Sequence, residues 1–225
     1  FGAERWSWQP TLAVIAVVTM AVGAVLALTQ TDIKRMLAYS SIAHAGFLLT
    51  AVVGALADVP GGQLNSIGSI LFYLIAYGFA VVGAFAIVTL VRDQAGEVNT
   101  LDGWSGLGRT HPLLAGIFAF LMLSFAGIPL TGGFIGKWAV FSAAWRGGYW
   151  WLVLAAVLFS LVAAYFYIRV IVVMFFGYPT RHVRVGRASV LTWAPIAVGA
   201  VATAYLGLFP GQLLDLLAQA EVFLR

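Results

Sequence analysis

The chain has 225 residues, 62% of them hydrophobic and 9% charged, with a mean hydropathy of +0.99, which excludes an ordinary soluble domain and marks an integral membrane protein. Its formal charge of +4 comes from thinly spread basic residues that mark loops rather than a patch for nucleic acid. The absence of cysteine rules out disulfides, thiolate-held zinc and cysteine-ligated iron–sulfur clusters in this chain, and three separated histidines argue against a haem or metal centre.

Residues 1–10 mix Trp6 and Trp8 with Glu4 and Arg5, the composition of a membrane–water interface. The chain opens on Phe1 without a charged n-region and cleavage site, so no signal peptide is expected and the sequence reads as a fragment. Residues 11–29 make a first span, which at about 1.5 Å per residue covers a hydrocarbon core of about 30 Å. A polar turn, Gln30 to Arg35, leads to a second span from Met36 to Leu56. Ser40 and Ser41 precede His44 by four and three residues, so the three share a helical face deep in the membrane. Such a histidine either hydrogen-bonds across a helix interface or relays protons.

After a turn at Asp58 to Gly62, a third span runs from Ser66 to Val91. Ser66, Ser69, Tyr73 and Tyr77 recur on it at helical spacing and should face other helices, as interhelical glue or as the lining of a wet path. Arg92 to His111 is the longest polar connection, and its Leu101–Gly108 stretch reads as an ordered surface loop or short interfacial segment. With no lysine after its glycines and no strand expected before them, it is not a phosphate-binding loop.

The fourth span, Pro112 to Trp145, is interrupted by Pro129, Gly127, Gly132, Gly133 and Gly136. A helix that stops, unwinds over Ile128–Gly133 and resumes is expected there, with the freed backbone facing protein or water. Lys137 lies just beyond. It either snorkels to the outer surface or serves an ion or proton pathway, and a lysine beside a helix break favours the pathway. A fifth span, Tyr149 to Phe176, opens with aromatic residues and carries Tyr165 and Arg169 in structural roles. Residues 177–188 form a basic loop with Arg181, His182, Arg184 and Arg187, and a sixth span runs from Ser189 to Phe209. The tail, 210–225, sets leucines against Asp215, Gln219 and Glu221 and is expected to lie along the membrane surface.

The fold class is therefore all-α, a polytopic transmembrane bundle of about six spans with one discontinuous helix. Lys34, Arg35, Arg92, Arg109, Arg181, Arg184 and Arg187 fall in the loops of one side, which the positive-inside rule makes cytoplasmic, with both ends of the chain outside.

The run Gln30-Thr31-Asp32-Ile33-Lys34-Arg35-Met36-Leu37-Ala38-Tyr39-Ser40-Ser41-Ile42-Ala43-His44-Ala45-Gly46-Phe47 resembles the antiporter-like membrane subunits of respiratory complex I. A second match, Ala126 to Lys137, is similar to the N type of these subunits in the bacterial proton-pumping NADH:quinone oxidoreductase. The lysine of Phe-Ile-Gly-Lys stands where M-type subunits resemble this stretch with glutamate, and the third span lacks the lysine and histidines of the L and M types. The family has about fourteen spans in two inverted repeats. The resemblance implies that the spans here are the second repeat, residues 11–176, plus one further helix, 189–209. The family's glutamate and lysine of the first repeat have no counterpart.

The resemblance further implies a bacterial inner-membrane, non-redox subunit of a proton-translocating NADH:ubiquinone or menaquinone reductase. Lys137 would be the terminal protonatable lysine of a hydrated axis, with Gly133 and the unwound backbone leaving room for water. His44, Ser40, Ser41, Tyr73 and Tyr77 would line the route to it. No cofactor is expected in this chain; NADH, FMN, iron–sulfur clusters and quinone would belong to other subunits. Its partners would be the lipid bilayer and neighbouring membrane-arm subunits of the M type and the K, J and A types. Two other functions fit the same residues. One is the large subunit of a cation/proton antiporter; the other is a structural membrane spacer without transport.

Overall fold

The computed structural model describes residues 5–55, 66–94, 96–179, 184–186 and 189–220. Along the chain come α1 (Arg5–Thr29), α2 (Ile33–Val53), α3 (Ser66–Leu90), strands β1 (Val91–Asp93) and β2 (Gly96–Glu97), and a 3-10 turn (Leu101–Trp104). They are followed by α4 (Leu107–Thr110), α5 (Pro112–Ala126), α6 (Gly132–Arg146), α7 (Trp150–Phe176), β3 (Arg184–Val185), α8 (Val190–Leu208) and α9 (Gly211–Ala220). Among the described residues, α1, α2, α3, α7 and α8 are long and apolar enough to cross a membrane. Helices α5 and α6, 15 residues each, are individually too short for a core of about 30 Å and supply the sixth crossing as a broken pair. The turn expected at 58–62, Arg181, His182, Arg187 and Glu221 lie outside the described residues.

Small residues at helical spacing hold the first pair together. Ala13, Ala16, Met20, Ala24 and Ala27 form the buried stripe of α1, which packs along α2, while Val14, Val18, Val22 and Val25 point outward to lipid. Without a hydrophobic drive between helices in lipid, such close backbone approach supplies the attraction. Helix α3 is central, lying against α2, α5, α6 and α8. Its stripe of Ser66, Ser69 and Tyr73 is buried, as the spacing requires.

One end of the bundle is tied together by the long connection. Asp32 bridges Thr100, Ile33 N–H donates to Asn99 O (2.7 Å), and Leu101 N–H donates to Thr31 O (2.8 Å). Strand β1 pairs antiparallel with β2 and with β3, setting Arg92 opposite Arg184. The 30–35 turn, the 92–111 connection and the 184–186 segment thus share an end, as the grouping of basic residues requires. The short strands were not expected from sequence, because a two- or three-residue pairing leaves no alternation to read. Arg169 reaches across to α1, donating to Leu28 O at 3.5 Å, so it serves a neighbouring helix rather than its own. In the tail, Leu213, Leu214 and Leu217 of α9 pack with Phe72, Ala76 and Leu206, so its apolar side covers α3 and α8.

At the sheet, Lys34 donates to Glu97 Oε2 and Arg92 approaches Oε1 at 3.5 Å. The Lys34 hydrogen bond, helped by both positive charges, holds the Glu97 carboxyl below its ordinary value of 4.5. A depressed carboxyl stabilises the fold above its unfolded value and loses that contribution as pH falls through the folded value. Thermal unfolding of the wild type and of Glu97→Gln should therefore differ slightly above the ordinary value of 4.5 and converge in stronger acid. A gap that widened in acid would contradict the pairing.

Candidate functional site

Gly127, at φ 85°, ends α5 and donates its N–H to Leu123 O and Ser124 O. Leu130 is the positive-φ residue other than glycine among those described (φ 71°), and Thr131 then caps α6, accepting from Phe134 N–H at 3.4 Å while donating to Ile128 O at 2.7 Å. The break thus occupies 127–131, and Gly132 and Gly133 belong to the first turn of α6 rather than to unwound chain. The reason is steric. Gly133 N–H donates to Ser124 Oγ (3.1 Å), and a Cβ on Gly133 would sit 2.0 Å from Ser124 O. The space expected for water at Gly133 is filled by the other half-helix.

The last carbonyls of a helix lack intrahelical donors. Here two of them are met by Lys137, whose Nζ donates to Phe125 O (2.8 Å), Ala126 O (3.1 Å) and Ser160 Oγ (2.8 Å). A cation at a helix C-terminus is favourably placed in the helix field. Lys137 is 5% exposed while its neighbour Trp138 is 67% exposed, so the lysine points inward and does not snorkel. Among the described residues Lys137 has no carboxylate partner. A cavity of about 330 Å³ between α6 and α7 touches Lys137 and Ser160, walled by Phe134, Trp138, Phe141 and Val157.

A second polar group surrounds His44, mid-way along α2. Its Nδ1 shares a hydrogen bond with Tyr73 Oη (2.6 Å) and its Nε2 one with Tyr167 Oη (3.1 Å). Tyr167 also bonds Ser40, and Tyr77 Oη donates to Ser41 Oγ (2.8 Å) while its ring stacks 4.3 Å from the imidazole. Tyr73 fits because α6 offers no side chain there: a Cβ on Gly136 would lie 2.3 Å from Tyr73 Cδ2. Ser40, Ser41, His44, Tyr73 and Tyr77, chosen on sequence, converge in one cluster. Hydroxyls flank both ring nitrogens, and a hydroxyl donates or accepts, so either tautomer or the imidazolium finds partners there.

Residues 2–164 match the family described as the transmembrane region of NADH:quinone oxidoreductase/Mrp antiporter proteins. The chain belongs to this family. Over its whole length it is 55% identical to NADH-quinone oxidoreductase subunit N of Nocardioides sp. (strain JS614), of which it covers 44%. In structure it is similar to a chain of respiratory complex I from Thermus thermophilus with bound aureothin, at TM-score 0.77 and 32% identity, covering 91% of this chain and 44% of that one. Its fold is also that of a chain in the Mrp complex from Dietzia sp. DQ12-45-1b (TM-score 0.80, 21% identity, 95% of this chain and 47% of that one). The chain spans a little under half the length of the curated relatives it matches.

Within this antiporter-like fold, two partners escaped the sequence reading, Ser160 and Tyr167 of α7. They lie seven residues apart, hence on one helical face, and that spacing was the available signal. The tyrosine singled out on α7, Tyr165, is 64% exposed instead, because it sits on the opposite, outward side.

Proposed function

We propose that this chain is the second half of an N-type membrane subunit of a proton-pumping NADH:quinone oxidoreductase, and that Lys137 loads and releases a proton on its translocation route. The observation that carries this reading is the donor set of Lys137. As an ammonium it gives its three N–H groups to Phe125 O, Ala126 O and Ser160 Oγ. As a neutral amine it keeps two donors for the carbonyls and accepts from the Ser160 hydroxyl, which only has to rotate. Both protonation states are satisfied without moving the backbone, and no fixed negative charge among the described residues locks the lysine in one of them. His44, with Ser40, Ser41, Tyr73, Tyr77 and Tyr167, forms a second exchangeable station. The redox groups and quinone chemistry belong to other subunits, and the M-type and K/J/A-type subunits are its membrane-arm neighbours. The basic end faces the cytoplasm of a bacterial inner membrane, by the positive-inside rule.

Ser160 supplies the test. In the assembled enzyme in proteoliposomes, Ser160→Ala should lower the protons pumped per electron while NADH oxidation continues, and Ser160→Thr, which restores a hydroxyl, should recover much of the loss. An unchanged ratio in Ser160→Ala would contradict the role.

The likeness to the Mrp complex chain supports a second reading, the large subunit of a cation/proton antiporter. Co-purification with a peripheral redox arm favours the first reading, and sodium/proton exchange without one favours the second. A membrane spacer without transport has the paired, capping position of Lys137 in its favour, and it requires Ser160 and Lys137 variants to affect assembly alone.

A further inference from the structure

Resting on the proton-route reading, we propose that Phe47 and Phe125 form a closed hydrophobic barrier between the His44 cluster and Lys137, and that protons pass between the two only when these rings part and admit water.

The two polar groups are close in space yet share no side chain. The imidazole bonds Tyr73 and Tyr167, and the ammonium bonds Phe125 O, Ala126 O and Ser160. Two phenylalanines each touch both groups. The Phe47 ring meets His44 edge-on at 5.5 Å, and Lys137 Nζ lies 5.1 Å from the same ring. Phe125 meets His44 edge-on at 5.9 Å, packs on Tyr77 at 5.5 Å and Tyr167 at 5.6 Å, and offers its own carbonyl to Lys137. Phe47 and Phe125 are 0% and 2% exposed, which leaves the barrier packed. On its other side Lys137 borders the cavity of about 330 Å³ between α6 and α7. Lys137, 5% exposed, is packed against these rings on one side and borders that cavity on the other. Apolar constrictions of this kind block conduction by excluding water.

Phe125 also ties the barrier to the lysine it guards. Its carbonyl, at the last turn of α5 beside the break, is held by Lys137, while its ring packs on His44. When the rings part, the proton that leaves one nitrogen is carried by the entering water and bonds to the other.

The test uses the full-length subunit in the assembled enzyme, reconstituted in proteoliposomes with a fluorescent pH probe. Phe47→Ala and Phe125→Ala, made singly, should each raise passive proton leak under an imposed pH gradient by about tenfold, the rate change of an about 1.4 kcal/mol fall in barrier. They should also lower protons pumped per electron. Phe125→Leu, which keeps apolar bulk in place, should assemble and hold leak near the wild-type level, an outcome that a merely structural role for the ring does not require. Wild-type leak in an assembled alanine variant, or equal leak in Phe125→Leu and Phe125→Ala, would overturn the barrier. Lys137→Arg measured alongside separates the two ideas. Pumping at the wild-type ratio in that variant sinks the proton-route reading, whereas lost pumping with tight alanine variants sinks the barrier alone.

Discussion

Lys137→Arg is expected to assemble and to fail at pumping. Arginine keeps a cation and several donors for Phe125 O and Ala126 O, so the end of α5 stays capped, but a guanidinium is not deprotonated in proteins. The substitution therefore removes proton exchange while leaving charge and much of the hydrogen bonding in place. Lys137→Ala is the harsher change. It leaves two buried carbonyls without donors, at a cost of about 1–3 kcal/mol for each, so part of its effect will be reduced assembly. Measured per assembled enzyme, both variants should carry electrons with fewer protons pumped per electron. If the arginine variant pumps at the wild-type ratio, Lys137 is a cap and nothing more.

Gly133→Ala should be the most damaging of the small substitutions. The added carbon would lie 2.0 Å from Ser124 O, 2.7 Å from Ser124 C and 2.8 Å from Ser124 Oγ, two of which are backbone atoms of a packed half-helix. Neither half can retreat easily, because α6 lies against α3, α2 and α8 as well as α5. Overpacking at such a site costs about 3 kcal/mol, a large part of the net stability of a domain. It would also draw α6 away from α5 and lengthen the Lys137 hydrogen bonds. The expected result is a lower thermal midpoint and low yield of assembled protein. Gly116→Ala, where an added Cβ meets nothing within 4 Å, should be silent by the same assay. Equal stability of the two variants would show that the α5–α6 contact is loose.

The difference between these two glycines was not legible in the sequence, although the break, expected over 128–133, lies within two residues of that, at 127–131. Proline, glycine and lysine in one apolar run announce a discontinuous helix, since each either removes a donor or relaxes the chain. Whether a glycine there unwinds the backbone or lets two helices touch depends on a partner nine residues away, Ser124. The long spans were readable because a membrane crossing fixes length and composition together. The His44 cluster was readable on α2 and α3, where hydroxyls and the imidazole recur every three or four residues. On α7 the two partners are spaced by seven, and Tyr165 between them faces outward. The acceptors of Lys137 on α5 are main-chain atoms, for which sequence holds no side-chain signal. The sheet of β1, β2 and β3 is set by pairing between distant, very short segments, so local pattern says nothing of it.

The most direct measurement is a high-resolution map of the assembled, full-length enzyme that resolves ordered water around Lys137. A proton-exchanging lysine should have water in the α6–α7 cavity within hydrogen-bonding reach of Nζ or Ser160 Oγ. A cavity filled by a lipid chain or an apolar side chain, with Lys137 held dry on its carbonyls, would contradict the proposed role.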